Sequence, residues 1–110
     1  MDLTKLAVAQ RETPSISYQR DEDMVFRRLG EEMVLVPIRK GIGEFDSFYV
    51  LNELGTFLWQ QLGSLQAESK LLNSILVEFN VSKEEAQKDL HSFLQELLKL
   101  NAIKKFEENP

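Results

Sequence analysis

The sequence predicts an α+β domain in which a three-stranded antiparallel sheet is followed by three helices. Three observations carry this. Apolar runs before residue 52 are short and rich in β-branched and aromatic residues, the composition of strands. Apolar residues after it recur three and four apart, the spacing of a helix face. Between the two regimes, Phe48-Tyr49-Val50-Leu51 leads straight into Asn52-Glu53-Leu54-Gly55, so one strand passes into one helix without a loop.

Taken in order, residues 1–15 read as a loosely held N-terminal arm ending in Thr13-Pro14-Ser15, and Ile16 to Arg20 as a brief extended segment. Asp21-Glu22-Asp23 are adjacent and point different ways in any regular element, which marks a solvated turn rather than a cation site. A strand spans Met24 to Leu29, Gly30-Glu31-Glu32 supplies a tight hairpin connection, and a second strand covers Met33 to Ile38. Pro37 cannot donate to a ladder, so central pairing is expected to stop or bulge there. Arg39 to Ser47 forms a polar, wing-like hairpin tip. Its Gly41 and Gly43 lack the following Gly-Lys-Ser/Thr of a phosphate loop. Phe48 to Leu51 is the third strand.

The first helix runs over 53–62, capped by Asn52, with Leu54, Phe57, Leu58 and Leu62 on one face and Gly63 placed for a left-handed end. The second covers Glu68 to Phe79, with Leu71, Leu72, Ile75, Leu76 and Phe79 aligned. Ser64 and Ser69 compete as its cap, and Asn80 suits a left-handed exit. The third, Ser82 to Leu100, opens on the Ser82–Glu85 capping box and buries Ala86, Leu90, Phe93, Leu97 and Leu100. The last two helices have helix-turn-helix form. Ala102-Ile103 closes the domain at 16–103, and Lys104 to Pro110 is a charged tail.

Composition narrows function. With no cysteine and a single histidine, His91, neither a metal site nor a nucleophile–base pair is expected, and no cofactor. The protein reads as a non-enzyme. A net charge of −5 disfavours nucleic acid, whose phosphates call for a basic face. No apolar run approaches the roughly 20 residues of a membrane span. Without a secretion signal, the expected location is cytoplasmic.

The strands carry the informative anomaly. A sheet covered by helices on one side should alternate apolar and polar residues, yet Met33-Val34-Leu35-Val36 and Phe48-Tyr49-Val50-Leu51 are apolar throughout. The second face needs cover from residues 1–20, from a second copy, or from a partner. Homodimerisation by exchange of an N-terminal strand or arm is therefore expected. The edge of the third strand, Phe48, Tyr49, Val50 and Leu51, is a template for an added peptide strand. The third helix offers a wall beside it. One flank of that helix, Gln87, His91, Leu94 and Leu98, widens the apolar arc, whereas the other carries Glu85, Asp89 and Glu96.

Leu51-Asn52-Glu53-Leu54-Gly55 followed by Phe57-Leu58-Trp59 resembles the signature of the PqqD family. Leu71 to Phe79, Val81 to Ala86, and Asp89-Leu90 to Phe93-Leu94 continue the likeness over about residues 16 to 103. Ala67 stands where the family usually has a Thr cap. The resemblance implies a winged-helix-like peptide-recognition domain that binds the leader of a ribosomally made precursor peptide. In such systems the leader adds as a strand beside the third strand and is presented to a radical SAM maturase, as in pyrroloquinoline quinone biosynthesis. The iron–sulfur cluster and SAM would belong to that partner. The alternative, a winged-helix DNA binder, must explain a third helix with Lys83, Lys88 and Lys99 against Glu84, Glu85, Asp89 and Glu96, a net −1.

Overall fold

The computed structural model describes residues 15–36 and 48–108. Almost all of the expected N-terminal arm, the wing-like tip Arg39–Ser47, and Pro37-Ile38 at the end of the second strand lie outside the described residues. The elements are β1 (Ser15–Arg20), β2 (Val25–Leu29), β3 (Glu32–Val36), β4 (Tyr49–Leu51), α1 (Glu53–Gln61), β5 (Gln66–Ala67), α2 (Glu68–Glu78), α3 (Lys83–Lys99) and β6 (Ile103–Glu108).

The expected three-stranded antiparallel sheet is the meander β2-β3-β4. Its first connection is the two-residue loop Gly30-Glu31, with Leu29 opposite Glu32 and Gly30 at φ 64°. That positive φ is the reason a glycine opens the turn. The acidic triplet is indeed a turn, in which Asp21 Oδ1 accepts the Asp23 N–H at 2.8 Å. Directly paired residues share a face. Phe26, Leu35 and Tyr49 therefore lie on one side with Arg28, Met33 and Leu51, and Arg27, Val34 and Val50 on the other. Leu35 (0% exposed) and Met33 (4%) enter the core. On the opposite face Val34 is buried, but Val25, Leu29 and Val50 around it remain exposed, and Phe26 and Tyr49 at the margins of the core face are partly exposed too. The helices cover the centre of one face of a sheet that is apolar on both.

A second sheet, ordered β5-β1-β6, corrects the sequence reading in two places. The extended segment before Arg20 is the centre of this sheet and pairs antiparallel with β6 from Ser15–Glu108 to Arg20–Ile103. The chain after Ile103, expected as a charged tail, continues as strand to Glu108. Only its first residue, Ile103, is buried; residues 104–107 are exposed, and Lys105 and Glu107 pair along the strand at 3.0 Å. Burial raises the Tyr18 hydroxyl above its usual pKa, with the nearby Glu68 adding to the effect.

The helix ends also depart from expectation. Asn101, at φ 57°, is the left-handed residue, whereas neither Gly63 nor Asn80 has a positive φ. Asn101 N–H donates to the Leu98 carbonyl and Ala102 N–H to that of Leu97, a Schellman pair that turns α3 into β6. α2 instead exits in extended conformation at Phe79 and delivers the chain to Ser82, whose hydroxyl caps α3 by accepting the Glu85 N–H. Neither serine caps α2. Its N-cap is Ala67, without a side-chain bond. The Arg20 guanidinium packs directly over Gly63, in the space a Cβ would take. That guanidinium lies over Phe26 at 4.7 Å and Trp59 at 5.4 Å, sealing one end of the core.

The core joins Leu58, Trp59 and Leu62 of α1 to Leu71 and Ile75 of α2 and to Ala86, Leu90, Leu94 and Leu97 of α3. Each large side chain so buried contributes about 1.5–3 kcal/mol of transfer free energy.

Candidate functional site

The site grows from the β4–α1 junction. Asn52 Oδ1 accepts the Gly55 N–H at 2.8 Å, satisfying one of the helix's free donors. Thr56, buried in the first turn, donates its hydroxyl to the Leu51 carbonyl at 3.4 Å and its N–H to the Asn52 carbonyl at 2.8 Å. Strand and helix are therefore locked end to end. Gly55 then sets the distance to α3. A Cβ on it would stand 3.2 Å from Phe93 Cε1 and 3.3 Å from Leu51 Cβ. Without that side chain, the Phe93 ring closes onto the first turn of α1.

Between β4 and α3 this leaves an open groove of about 430 Å³. Leu35, Leu51 and Leu54 line it from the sheet and α1, and Phe93, Leu97 and Leu100 from α3. Asp89, Ser92 and Glu96 supply the polar part of the helix wall. Tyr49 and Val50 of β4 join the lining, and β4 is the outermost strand of its sheet among the described residues. A smaller hollow of about 310 Å³ continues past Leu54 toward Ile75, Phe79 and Val81 and shares Asn52 and Asp89 with the groove. Geometry and chemistry together suit an extended chain, with backbone partners on one side and an apolar slot on the other.

Of the residues expected here, Tyr49, Val50 and Leu51 do line the groove, and Phe48 lies exposed just before them. The four expected from α3 do not. Gln87 and His91 are exposed away from the groove lining, Leu98 packs on the margin of the core, and Leu94 is 1% exposed within it. The cause is helix phase. Burial centres on Ala86, Leu90, Leu94 and Leu97, so Leu94 takes the core position expected of Phe93. Phe93 and Leu100 thereby turn toward β4, together with the flank that bears Asp89 and Glu96. In the sequence, the signal for this flank is the i, i+3, i+4, i+7 series Asp89-Ser92-Phe93-Glu96, which mixes acid and aromatic and so resembles a solvated face.

Other chemistries find little purchase among the described residues. No group of three or more His, Asp or Glu side chains is placed to hold a metal ion, and no helix is long and apolar enough to cross a membrane. The groove carries two carboxylates and no cation, a poor approach for phosphate.

The family model described as coenzyme PQQ synthesis protein D (PqqD) matches residues 32–103. Two solved structures share the fold. One is TbiB1 in complex with the TbiA(beta) leader peptide, 20% identical, with a TM-score of 0.64 over 78% of this chain and 94% of that one. The other is a lasso peptide synthetase B1 complexed with the leader peptide, 17% identical, with a TM-score of 0.61 over 79% and 96%. No curated protein sequence matches the chain.

Proposed function

The chain belongs to the PqqD family, and from that membership we propose that it is a peptide-binding adaptor rather than an enzyme. It captures the leader of a ribosomally made precursor as an added strand on the outer edge of β4. The observation that carries this reading is the apolar Phe93 slot that runs beside β4, the outermost strand of its sheet among the described residues. Backbone bonds along the edge give affinity, and the slot gives choice. Both solved structures of like fold are complexes with leader peptides, which supports the same use of this one. The adaptor holds the leader in the cytoplasm while a modifying enzyme, a radical SAM maturase, works on the remainder of the precursor. The open apolar face around Val25, Leu29 and Val50 further favours association with a second copy.

Calorimetric titration tests the reading, using synthetic peptides that cover the N-terminal halves of the short open reading frames flanking the gene. One of them should bind at a 1:1 ratio with micromolar or better affinity. Phe93→Ala, checked for an intact melting transition, should weaken that binding by about 1–2 kcal/mol through lost apolar burial. Absence of binding by every such peptide at 100-fold higher concentration would overturn the reading.

A further inference from the structure

The groove is apolar along its floor and acidic along its helix wall. Asp89 and Glu96 stand on α3 with Ser92 and Phe93 between them. Both carboxylates are exposed, neither is ion-paired among the described residues, and no Lys, Arg or His lines the groove. The helix therefore presents two uncompensated negative charges along the path an added strand would take, on a chain already at net −5. Their spacing is informative. At 1.5 Å per residue, Asp89 lies about 6 Å before Phe93 along the helix and Glu96 about 4.5 Å beyond it. Side chains on one face of a strand recur every ~6.6 Å. For a strand running alongside α3, an apolar side chain seated against Phe93 brings the residues two before and two after it level with the carboxylates, within reach of a long side chain.

We propose that the peptide taken by this groove carries Lys or Arg two positions to each side of the apolar residue lodged against Phe93, in the pattern basic–any–apolar–any–basic. This specificity rests on the strand-addition reading and adds the chemistry of the ligand to it. Attraction to the acidic wall selects such a leader, and repulsion rejects sequences with Asp or Glu at the same two positions. The exposed carboxylates also make capture sensitive to ionic strength.

Selection of a displayed library of randomised 12-residue peptides on the full chain tests the proposal, with amide-shift mapping of the winners on isotopically labelled protein. The same selection is run on the Asp89→Lys, Glu96→Lys double variant, whose exposed positions leave the melting temperature as a check on folding. Winners on the native chain should perturb Tyr49–Leu51 and Phe93 and carry the two flanking cations. The double variant should instead enrich acidic residues at those positions and bind a native winner about tenfold more weakly, an effect that shrinks at high salt. Winners that map to β4 with no charge preference, with acidic flanks, or with a preference unchanged in the double variant would overturn the proposal and leave strand addition standing. Winners that map elsewhere on the chain would overturn strand addition itself, and the proposal with it.

Discussion

Leu94 separates the two phases available to α3, so truncating it gives the sharpest prediction about the wall of the groove. At 1% exposure, inside a cluster with Leu90, Leu97, Leu71 and Ile75, it has the surroundings in which Leu→Ala leaves a cavity. Lost transfer energy plus that cavity should cost about 3 kcal/mol. For a chain of this size each kcal/mol shifts the melting temperature by about 4–5 °C, so Leu94→Ala should melt ~12–15 °C lower. His91→Ala, on the exposed flank one turn away, should stay within about 0.5 kcal/mol, a shift of ~2 °C. Thermal unfolding followed by circular dichroism reads both, with urea midpoints as a second measure of the difference. A Leu94→Ala protein that melts within ~2 °C of the native one but no longer binds peptide would refute the assigned phase. Leu94 would then belong to the wall, and the groove would face the other way.

Three further expectations follow from the fold. Ending the chain after Ile103 strips β6 from β1, so the shortened protein should lose several kcal/mol and unfold at much lower urea; unchanged stability would mean that the strand adds nothing. Because burial raises the Tyr18 pKa above that of the unfolded chain, its contribution is complete below pH ~10 and is lost as pH rises through the folded value. Native stability should therefore decline at alkaline pH, and Tyr18→Phe should flatten that decline; an identical slope in the variant would contradict it. Light scattering should show growing mass as concentration rises, from pairing of the open face around Val25, Leu29 and Val50, whereas a strict monomer at high concentration would count against that pairing.

What the sequence made legible was local. The β4–α1 junction could be read because Asn52 lies within three residues of the N–H it caps, and Ser82 stands equally close to its own partner. The meander showed in the continuous apolar runs of β3 and β4, and its open second face in the same runs. Pairing between the ends of the chain was not legible. β1 and β6 are separated by three helices, and Lys104-Lys105 and Glu107-Glu108 match a solvated tail as well as a strand. The exit of each helix depended on what comes next. α3 must reverse into β6 and takes a left-handed Asn101, whereas α2 must reach Ser82 and leaves extended, so Asn80 goes unused. The phase of α3 was lost for a related reason. With Phe93, Leu94, Leu97, Leu98 and Leu100 so close together, periodicity alone admits two stripes. The contact that goes with the observed phase, Phe93 closing on Gly55 in the first turn of α1, joins residues far apart in sequence.

The central claim is that a leader peptide becomes a fourth strand on β4. Nuclear Overhauser contacts between an unlabelled bound leader and the isotopically labelled chain test it most directly. The account predicts regular backbone-to-backbone contacts from the peptide to Tyr49–Leu51, with alternate peptide side chains touching the Phe93 ring. Backbone contacts along Val25–Leu29 at the opposite edge of the sheet, or side-chain contacts gathered around His91 and Leu98, would contradict it.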